Sequence, residues 1–422
     1  MLRIALYRIV DFYREVSHVV WSKLQPYNIR MGGPETVIDR TERTIAGTTR
    51  RFDGLRLDRN ELAGAFGDIG TDLPLIVGMI LASGLHSASV LVMFGLMQWF
   101  TAVRYRMPMP VQPLKAVAVL VITQKVAPSV LYGGGLAIGI AMLLLTVSGG
   151  ITWLARVVPK AVIRGLQLGL GIQLAMLALK DYVQADGMPG YVLAAVGFII
   201  VIALFGNRRF PPAIPVIVLG VIYAFAFKLS GTDFRSAIGF TLPVPRAVGL
   251  DDIASGFILL ALPQIPLSLG NSILATRQVA EDLFPGRQIT VRKLSYTYAL
   301  MNLVNPFFGG VPTCHGSGGL VGHYTFGART GGSIMIYGSI FLVLGLFFAS
   351  GFQQLVQIFP LPILGVLLFF EAAALISMIR DQSADYRSLL IVVIVGLIAA
   401  GLPYGYAIGL VVGTALSYVR FD

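Results

Sequence analysis

Residues 309–332 read GGVPTCHGSGGLVGHYTFGARTGG, a polar, glycine-rich island inside an otherwise strongly apolar chain. Val311 to Cys314 is extended in character and leads into a turn of small and polar residues, then a short helix-compatible run. Backbone of this kind is tolerated at membrane depth only where protein or a water-filled cavity surrounds it. The N–H groups of Gly316, Ser317, Gly318 and Gly319, free at the start of such a helix, would present a concave, positively polarised surface to an oxyanion. A flexible loop between two spans is the competing reading of the same residues.

A second stretch has the same grammar. Met109-Pro110-Val111-Gln112-Pro113 is followed at once by Lys115 and an apolar run. Two such half-helices of opposite direction, both stopping near the bilayer midplane, would contribute about +0.5 charge apiece and several unpaired N–H donors to one cavity. Together they offset roughly one negative charge, and a dianion needs one more. Lys115 is the candidate for it, because a lysine within a membrane segment is costly and usually functional. A side chain that snorkels to the interface or pairs with a carboxylate for packing is its alternative. Gln112, Thr313, His315 and Ser317 supply neutral donors at the two half-helix starts, with Cys314, Gly316 and Gly318 beside them, although a lone histidine such as His315 is more often a satisfied core residue.

Intramembrane acids come next, as proton-relay candidates. Residues 60–74, NELAGAFGDIGTDLP, place Glu61, Gly64, Asp68 and Thr71/Asp72 on one helical face. Glu61, Asp68 and Asp72 are therefore the candidates for proton coupling; capping of a neighbouring helix or neutralisation of Lys115 would explain Asp68 or Asp72 equally. The corresponding stretch later in the chain carries Gln264, Ser268 and Asn271 as an i, i+4, i+7 stripe, which adds Gln264 and Asn271 to the binding set.

The elements that hold these residues follow from composition. Of 422 residues, 56% are hydrophobic and 13% charged, and the mean hydropathy is +0.78; a soluble domain carries roughly 25% charged residues. Apolar runs of about 20 residues, rich in glycine and proline and without strict alternation, make this a polytopic helical membrane protein and not an outer-membrane barrel. The single cysteine, Cys314, excludes an intramolecular disulfide, and His18, His86, His315 and His323 lack metal-ligand spacing, so neither metal nor cofactor is expected. The net charge of +11 is scattered between apolar runs, as in cytoplasmic loops, which argues against nucleic acid as a partner. No short apolar core with a small-residue cleavage site opens the chain, so no cleaved signal peptide is expected.

Residues 1–59 form a basic tail, with an amphipathic pattern over Leu2 to Leu24 that fits either a membrane-surface or a solvated helix. Segments follow at 60–82, 86–104, 110–124, 131–152, 158–180, 190–206 and 211–229, then at 254–281, 291–308, 312–326, 332–350, 355–378, 387–401 and 404–420. Pro110 and Pro312 are 202 residues apart, and Pro159 and Pro360 are 201 apart, which argues for a duplication of seven segments. An odd number of spans inverts the second copy. The third and tenth segments are then the short strand/half-helix pair. With the N-terminus inside, 26 of the 32 Lys and Arg fall in cytoplasmic loops and tails, five outside and Lys115 within the membrane. This bias supports fourteen spans with both ends cytoplasmic.

Four stretches in order, ELAGAFGDIGT (61–71), PVQPLKA (110–116), VPKAVIRGLQLGLG (158–171) and VPTCHGSGGL (311–320), resemble the signature stretches of the molybdate-transporter family of plants and bacteria, a branch of the sulfate-permease-like superfamily. The resemblance runs from about Asn60 to the C-terminus and leaves the tail outside. It implies an all-α, seven-plus-seven inverted repeat with a core domain (60–156 and 254–351) moving as an elevator against a gate domain (157–230 and 352–422), joined by a connector (231–253), often as a homodimer. The leading expectation is a proton-coupled importer of molybdate in the cytoplasmic membrane, and sulfate, with the same charge and shape, is the alternative substrate. An anion channel would need a continuous polar path, and an enzyme would need an assembled nucleophile and base, since adjacent Cys314 and His315 point apart on an extended strand. The topology has a direct check. In a Cys314→Ser background, single cysteines at Arg208 or Arg209 are expected to label from the cytoplasmic side and one at Asp186 from the outside; same-side labelling would break the seven-plus-seven assignment.

Overall fold

Apolar sequence punctuated by glycine and proline folds here into a bundle of helices whose strands, among the described residues, are two residues long. The computed structural model describes residues 55–204, 211–228 and 238–419. Most of the basic tail, with its amphipathic stretch, and Arg208, Arg209, Arg235 and Arg420 lie outside the described residues.

The first span is broken: α1 (Arg59–Ala65) and α2 (Ile69–Ser83) meet at 43°. Helix α3 (Ser87–Tyr105) leads to β1 (Gln112–Pro113) and the short α4 (Lys115–Gln124). Then come α5 (Pro128–Val147), α6 (Gly150–Val157), α7 (Lys160–Tyr182), α8 (Gly187–Leu204) and α9 (Ala213–Tyr223). The second half opens with α10 (Leu250–Leu283). Pro266 cannot donate to the helical ladder, and α10 widens just after it into a π-helical stretch over Ser268–Ala275. Next are α11 (Val291–Val304), β2 (Thr313–Cys314), α12 (Ser317–Thr325) and α13 (Gly332–Phe347). The chain continues with α14 (Ala349–Ile358), α15 (Leu361–Ser377), α16 (Tyr386–Gly401) and α17 (Gly405–Tyr418).

A helix occupies each of the fourteen expected stretches. Among the described residues, six helices are long and apolar enough to cross a membrane, and counting two bent pairs as single spans raises this to eight. Two boundaries differ from expectation. Residues 150–152 and 355–358 were expected within the fourth and twelfth segments, but α6 and α14 are separate short helices, and α14 leaves α13 at 94°. Both stop just before Val158-Pro159 and Phe359-Pro360, because proline drives the preceding residue out of the helical region; Phe359 has ψ 130°.

Segments that the matching prolines set in correspondence pack in corresponding pairs. Helix α3 lies on α13 as α11 lies on α5; α1 touches α13 as α10 touches α5; α7 lies on α16 as α15 lies on α8. Strands β1 and β2 pair antiparallel, Gln112 opposite Cys314 and Pro113 opposite Thr313. Gln112 and Cys314 are themselves 202 residues apart. Gln112 and Cys314 thus face each other as counterparts, while Pro113 and Thr313 stand 200 residues apart on one side of them, as a two-fold axis between Gln112 and Cys314 requires, and the opposed strand directions fit an inverted second half. Where α5 and α10 cross, a Cβ on Gly133 would lie 2.1 Å from the Asp252 carbonyl oxygen, so only glycine permits this approach.

Glu61, expected as a coupling acid, has a fixed structural task. Its buried carboxylate accepts the N–H groups of Arg329 (2.9 Å) and Thr330 (2.9 Å) on one oxygen and of Ser333 (3.0 Å) on the other, tying α1 to the start of α13. Three bonds from backbone N–H groups account for this buried carboxylate as a tie between the two helices. Glu61→Ala would strand three buried donors at about 1–3 kcal/mol each. The expected result is a clear drop in Tm in detergent, with the affinity of the remaining folded protein for its ligand unchanged; a parental Tm would refute this assignment.

Candidate functional site

The pairing of β1 with β2 brings the starts of α4 and α12 together, and beside them lies a cavity of about 140 Å3. Its walls come from both half-helices, from the π-helical part of α10, and from α7 and α15. Of the expected binding residues, Gln112, Lys115, Gln264, Asn271, Cys314, His315, Gly316, Ser317 and Gly318 line it. Thr313 does not. Successive residues of β2 point to opposite faces, and Thr313 is turned into the core, where Asn302 bonds its N–H (2.9 Å) and carbonyl (2.6 Å) and Asn305 donates to its hydroxyl (3.1 Å).

The two half-helix starts are not equivalent. At α12, the N-cap is Gly316 and no side chain caps the helix, so the first N–H groups remain directed at the cavity. A Cβ on Gly318 would meet nothing within 4 Å, whereas one on Gly316 would run into Gln112 and one on Gly319 into Asp68. At α4, by contrast, Gln264 Oε1 accepts the N–H of Ala116 (3.0 Å) and Val117 (3.3 Å), while Gln264 Nε2 donates to Ser268 Oγ (2.9 Å). The expectation of free N–H groups on both half-helices therefore holds at α12 and fails at α4, where Gln264 acts as a cap in place of a ligand donor.

His315 is likewise occupied. Its Nδ1 faces the Pro110 carbonyl (3.3 Å), which can only accept, so Nδ1 carries the proton and Nε2 accepts from the Thr297 hydroxyl (2.7 Å). The Tyr105 ring meets it edge-on. His315 is a satisfied wall residue and not a free donor. Among the described residues, the Ser317 hydroxyl and the Asn271 carboxamide have no hydrogen-bonding partner in the protein and remain available.

Lys115 carries the positive charge, and its Nζ lies 2.5 Å from Glu371 Oε1 on α15. The Glu371 side chain is 7% exposed, and its other oxygen accepts from Thr71 Oγ1 at 3.1 Å. Sequence reasoning missed Glu371, although a signal was present: it is the one ionisable side chain in the apolar run 361–377. Gln167 on α7 was also missed. It is 1% exposed, its Oε1 accepts from Arg164 Nη1 (2.8 Å), and its Nε2 has no partner while the residue lines the cavity. A buried amide donor left unpaired in a cavity wall points to a missing acceptor.

The remaining acids sit behind this wall. Asp68 accepts from Gln112 Nε2 at 2.6 Å, and Asp72 accepts from Tyr337 OH at 3.2 Å with its Oδ1 unpartnered. Neither lines the cavity. The arrangement offers one cation, open backbone N–H groups, a hydroxyl and neutral amides around a space the size of a small anion; it places no base beside a nucleophile.

The chain matches the family described as "Molybdate transporter of MFS superfamily" over residues 60–174 and 256–375. It is 31% identical to molybdate transporter 2 of Arabidopsis thaliana, covering 90% of this chain and 92% of the relative. It is 30% identical to molybdate transporter 1 of the same plant, covering 85% and 87%. In fold it is similar to the transmembrane domain of the cyanobacterial bicarbonate transporter BicA (TM-score 0.60, 18% identity, 86% and 97% covered). It is similar also to the murine anion transporter Slc26a9 in its inward-facing state (TM-score 0.62, 14% identity, 91% and 76% covered). These are membrane transporters and not enzymes, and a family match over more than half of the chain, joined by a relative with 31% identity over nearly its whole length, settles that the chain belongs to the molybdate transporter family.

Proposed function

We propose that this protein is a secondary active transporter that imports molybdate across the cytoplasmic membrane. The observation that carries the reading is the cavity itself: Lys115, the uncapped start of α12 and the orphan amide of Gln167 converge on a space of about 140 Å3 inside a chain of this family. A tetrahedral dianion supplies what those donors lack. Its charge is met by the ammonium and by the helix end, and its oxygens accept from backbone, Ser317, Asn271 and Gln167. Sulfate has the same charge and shape, and uptake competition separates the two.

Fourteen spans with both termini inside agree with the distribution of basic residues. The core (60–156 and 254–351) and the gate (157–230 and 352–422, with the connector 231–253 between the halves) supply opposite walls of the cavity, since α7 and α15 face the half-helices across it. Sliding of one group against the other would open the site to each side in turn, as an elevator, with a homodimer holding the gate still. Import of a dianion against an inside-negative potential costs about 2.3 kcal/mol per charge per 100 mV, so accumulation requires a coupled cation. A proton is the simplest choice in a chain that buries carboxylates at and behind the cavity wall, Glu371, Asp68 and Asp72.

Radiolabelled molybdate uptake into proteoliposomes, with sulfate and tungstate as competitors, tests the activity. Saturable uptake blocked by tungstate is expected; absence of saturable uptake of either oxyanion, or an ohmic conductance, would reject the transporter reading. Calorimetric titration of molybdate tests the cradle. Lys115→Ala removes the one full charge and is expected to weaken binding roughly ten- to a hundredfold, and Ser317→Ala to weaken it less. Gly318→Val should weaken binding more than either, because a Cβ there meets nothing within 4 Å and the branched side chain would take up space that the anion needs. A folded Gly318→Val protein that binds like the parent would move the site elsewhere.

A further inference from the structure

We infer that Glu371, a gate-side residue, and the transported anion compete for the same cation, so that the site holds either the Lys115–Glu371 ion pair or the anion together with a protonated Glu371. This rests on the proposed transport reading and identifies the carboxylate that takes the coupled proton. Lys115 is the one cationic side chain lining the cavity among the described residues, and it is 31% exposed there. Its Nζ is already committed at 2.5 Å to a carboxylate that reaches across from α15. A dianion approaching Nζ would be set beside Glu371, which at 7% exposed is poorly screened from the repulsion. The carboxylate must therefore lose its charge before the ligand can share the ammonium. The step balances simply: one proton adds to a Glu371 oxygen, the Nζ–carboxylate contact opens, and the anion takes its place; the proton leaves when the anion does and the pair re-forms.

The other acids are not placed for this exchange. Asp68 is engaged by Gln112 and Asp72 by Tyr337, and neither touches Lys115. The charged groups nearest Glu371 are Lys115, in contact with it, and Asp68 and Asp72 at the break between α1 and α2. On α7, Lys160 and Arg164 are held by Asp381 at 2.7 and 2.6 Å. Lys180, Asp181 and Tyr182 at the end of α7, Tyr191 on α8, Tyr223 on α9 and Arg380 after α15 complete the titratable groups on the elements packed against α15. The pair also has a mechanical side. It ties the half-helix α4 to α15 directly, with Thr71 at the start of α2 holding the second oxygen, so the same protonation that frees Lys115 removes a strut between the two walls.

The test is calorimetry of molybdate binding to the purified full chain, in buffers of different protonation enthalpy, over a series of pH values. The parent is expected to take up close to one proton per molybdate bound and to lose affinity up to tenfold per pH unit once Glu371 is ionised. Glu371→Gln is expected to bind without proton uptake, with affinity independent of pH and at least equal to the parent's at the alkaline end. Glu371→Asp, which keeps a carboxylate, should retain proton-linked binding and guards against a misfolded amide variant. Two results would overturn the inference: a folded Glu371→Gln protein that still takes up a proton with the parental pH slope, or parental binding with no proton uptake at all. If the parent binds no molybdate under any condition, the transport reading itself fails, and that outcome is distinct from either.

Discussion

Two residues of backbone pairing in the middle of an apolar protein are the constraint on which the rest of the structure depends. A lipid interior offers no water to free N–H and C=O groups, so an extended segment there must find partners within the protein. Gln112–Pro113 and Thr313–Cys314 find them in each other, helped by the bond from the Leu114 N–H to the Pro312 carbonyl at 3.0 Å. Once they pair, the half-helices that follow start side by side and run in opposite directions. The side-chain clamps of Asn302 and Asn305 around Thr313, and of Gln98 around Val111, complete the accounting of the strand backbone. The polar island is thus the hub that fixes where the helix starts point.

That hub leaves an asymmetry inside a symmetric frame. Equivalent elements pack in equivalent pairs in the two halves, yet one helix start is closed by Gln264 and the other is open at Gly316 to Gly318. A site with both starts open would face a small anion with two partial charges from opposite directions. Closing one of them makes the single lysine decisive, since it then supplies most of the positive charge at the cavity. In the proposed binding mode it would also give the anion one fixed donor surface, the α12 turn, against which amides from α7 and α10 would orient it. The orphan Gln167 amide lies on a different element from the half-helices, so ligand bonding to both would bridge the two walls.

Much of this was legible in the sequence because membrane chemistry narrows the options. The apolar runs, the matching prolines, the polar stretches at 109–113 and 309–332 and the Gln264/Asn271 stripe mark the elements and nine of the lining residues. What the sequence hid were partners distant along the chain. Thr313 and Cys314 look alike as neighbours of a binding loop, and only the strand's alternation sends one to the core and the other to the cavity. Glu61 reads as an intramembrane acid like Asp68, but the three N–H groups that occupy it lie 268 to 272 residues away. His315 reads as a donor until Thr297 and Pro110 are seen on its two nitrogens. Glu371 stands 256 residues from Lys115, and a lone glutamate in an apolar helix does not name its partner. The short helices α6 and α14 were absorbed into neighbouring segments because a hydropathy window does not register a sharp turn at Gly149 or after α13.

In the proposed cycle, the charge balance of the cavity gives the proton its place. Lys115 and the open α12 start together amount to about +1.5. With Glu371 ionised, the empty cavity is left near +0.5, a state that a buried site tolerates. A dianion added to an ionised Glu371 would bring it to about −1.5, whereas a dianion added with a protonated Glu371 leaves about −0.5. In the proposed cycle both resting and loaded cavities therefore stay within about half a charge of neutral, and only the mismatched states carry the larger charge that low-dielectric surroundings penalise. The empty carrier would keep its walls tied by the ion pair, and the loaded carrier would have them released. A proton taken by a gate-side carboxylate could in this way couple occupancy to motion without any contact between proton and substrate.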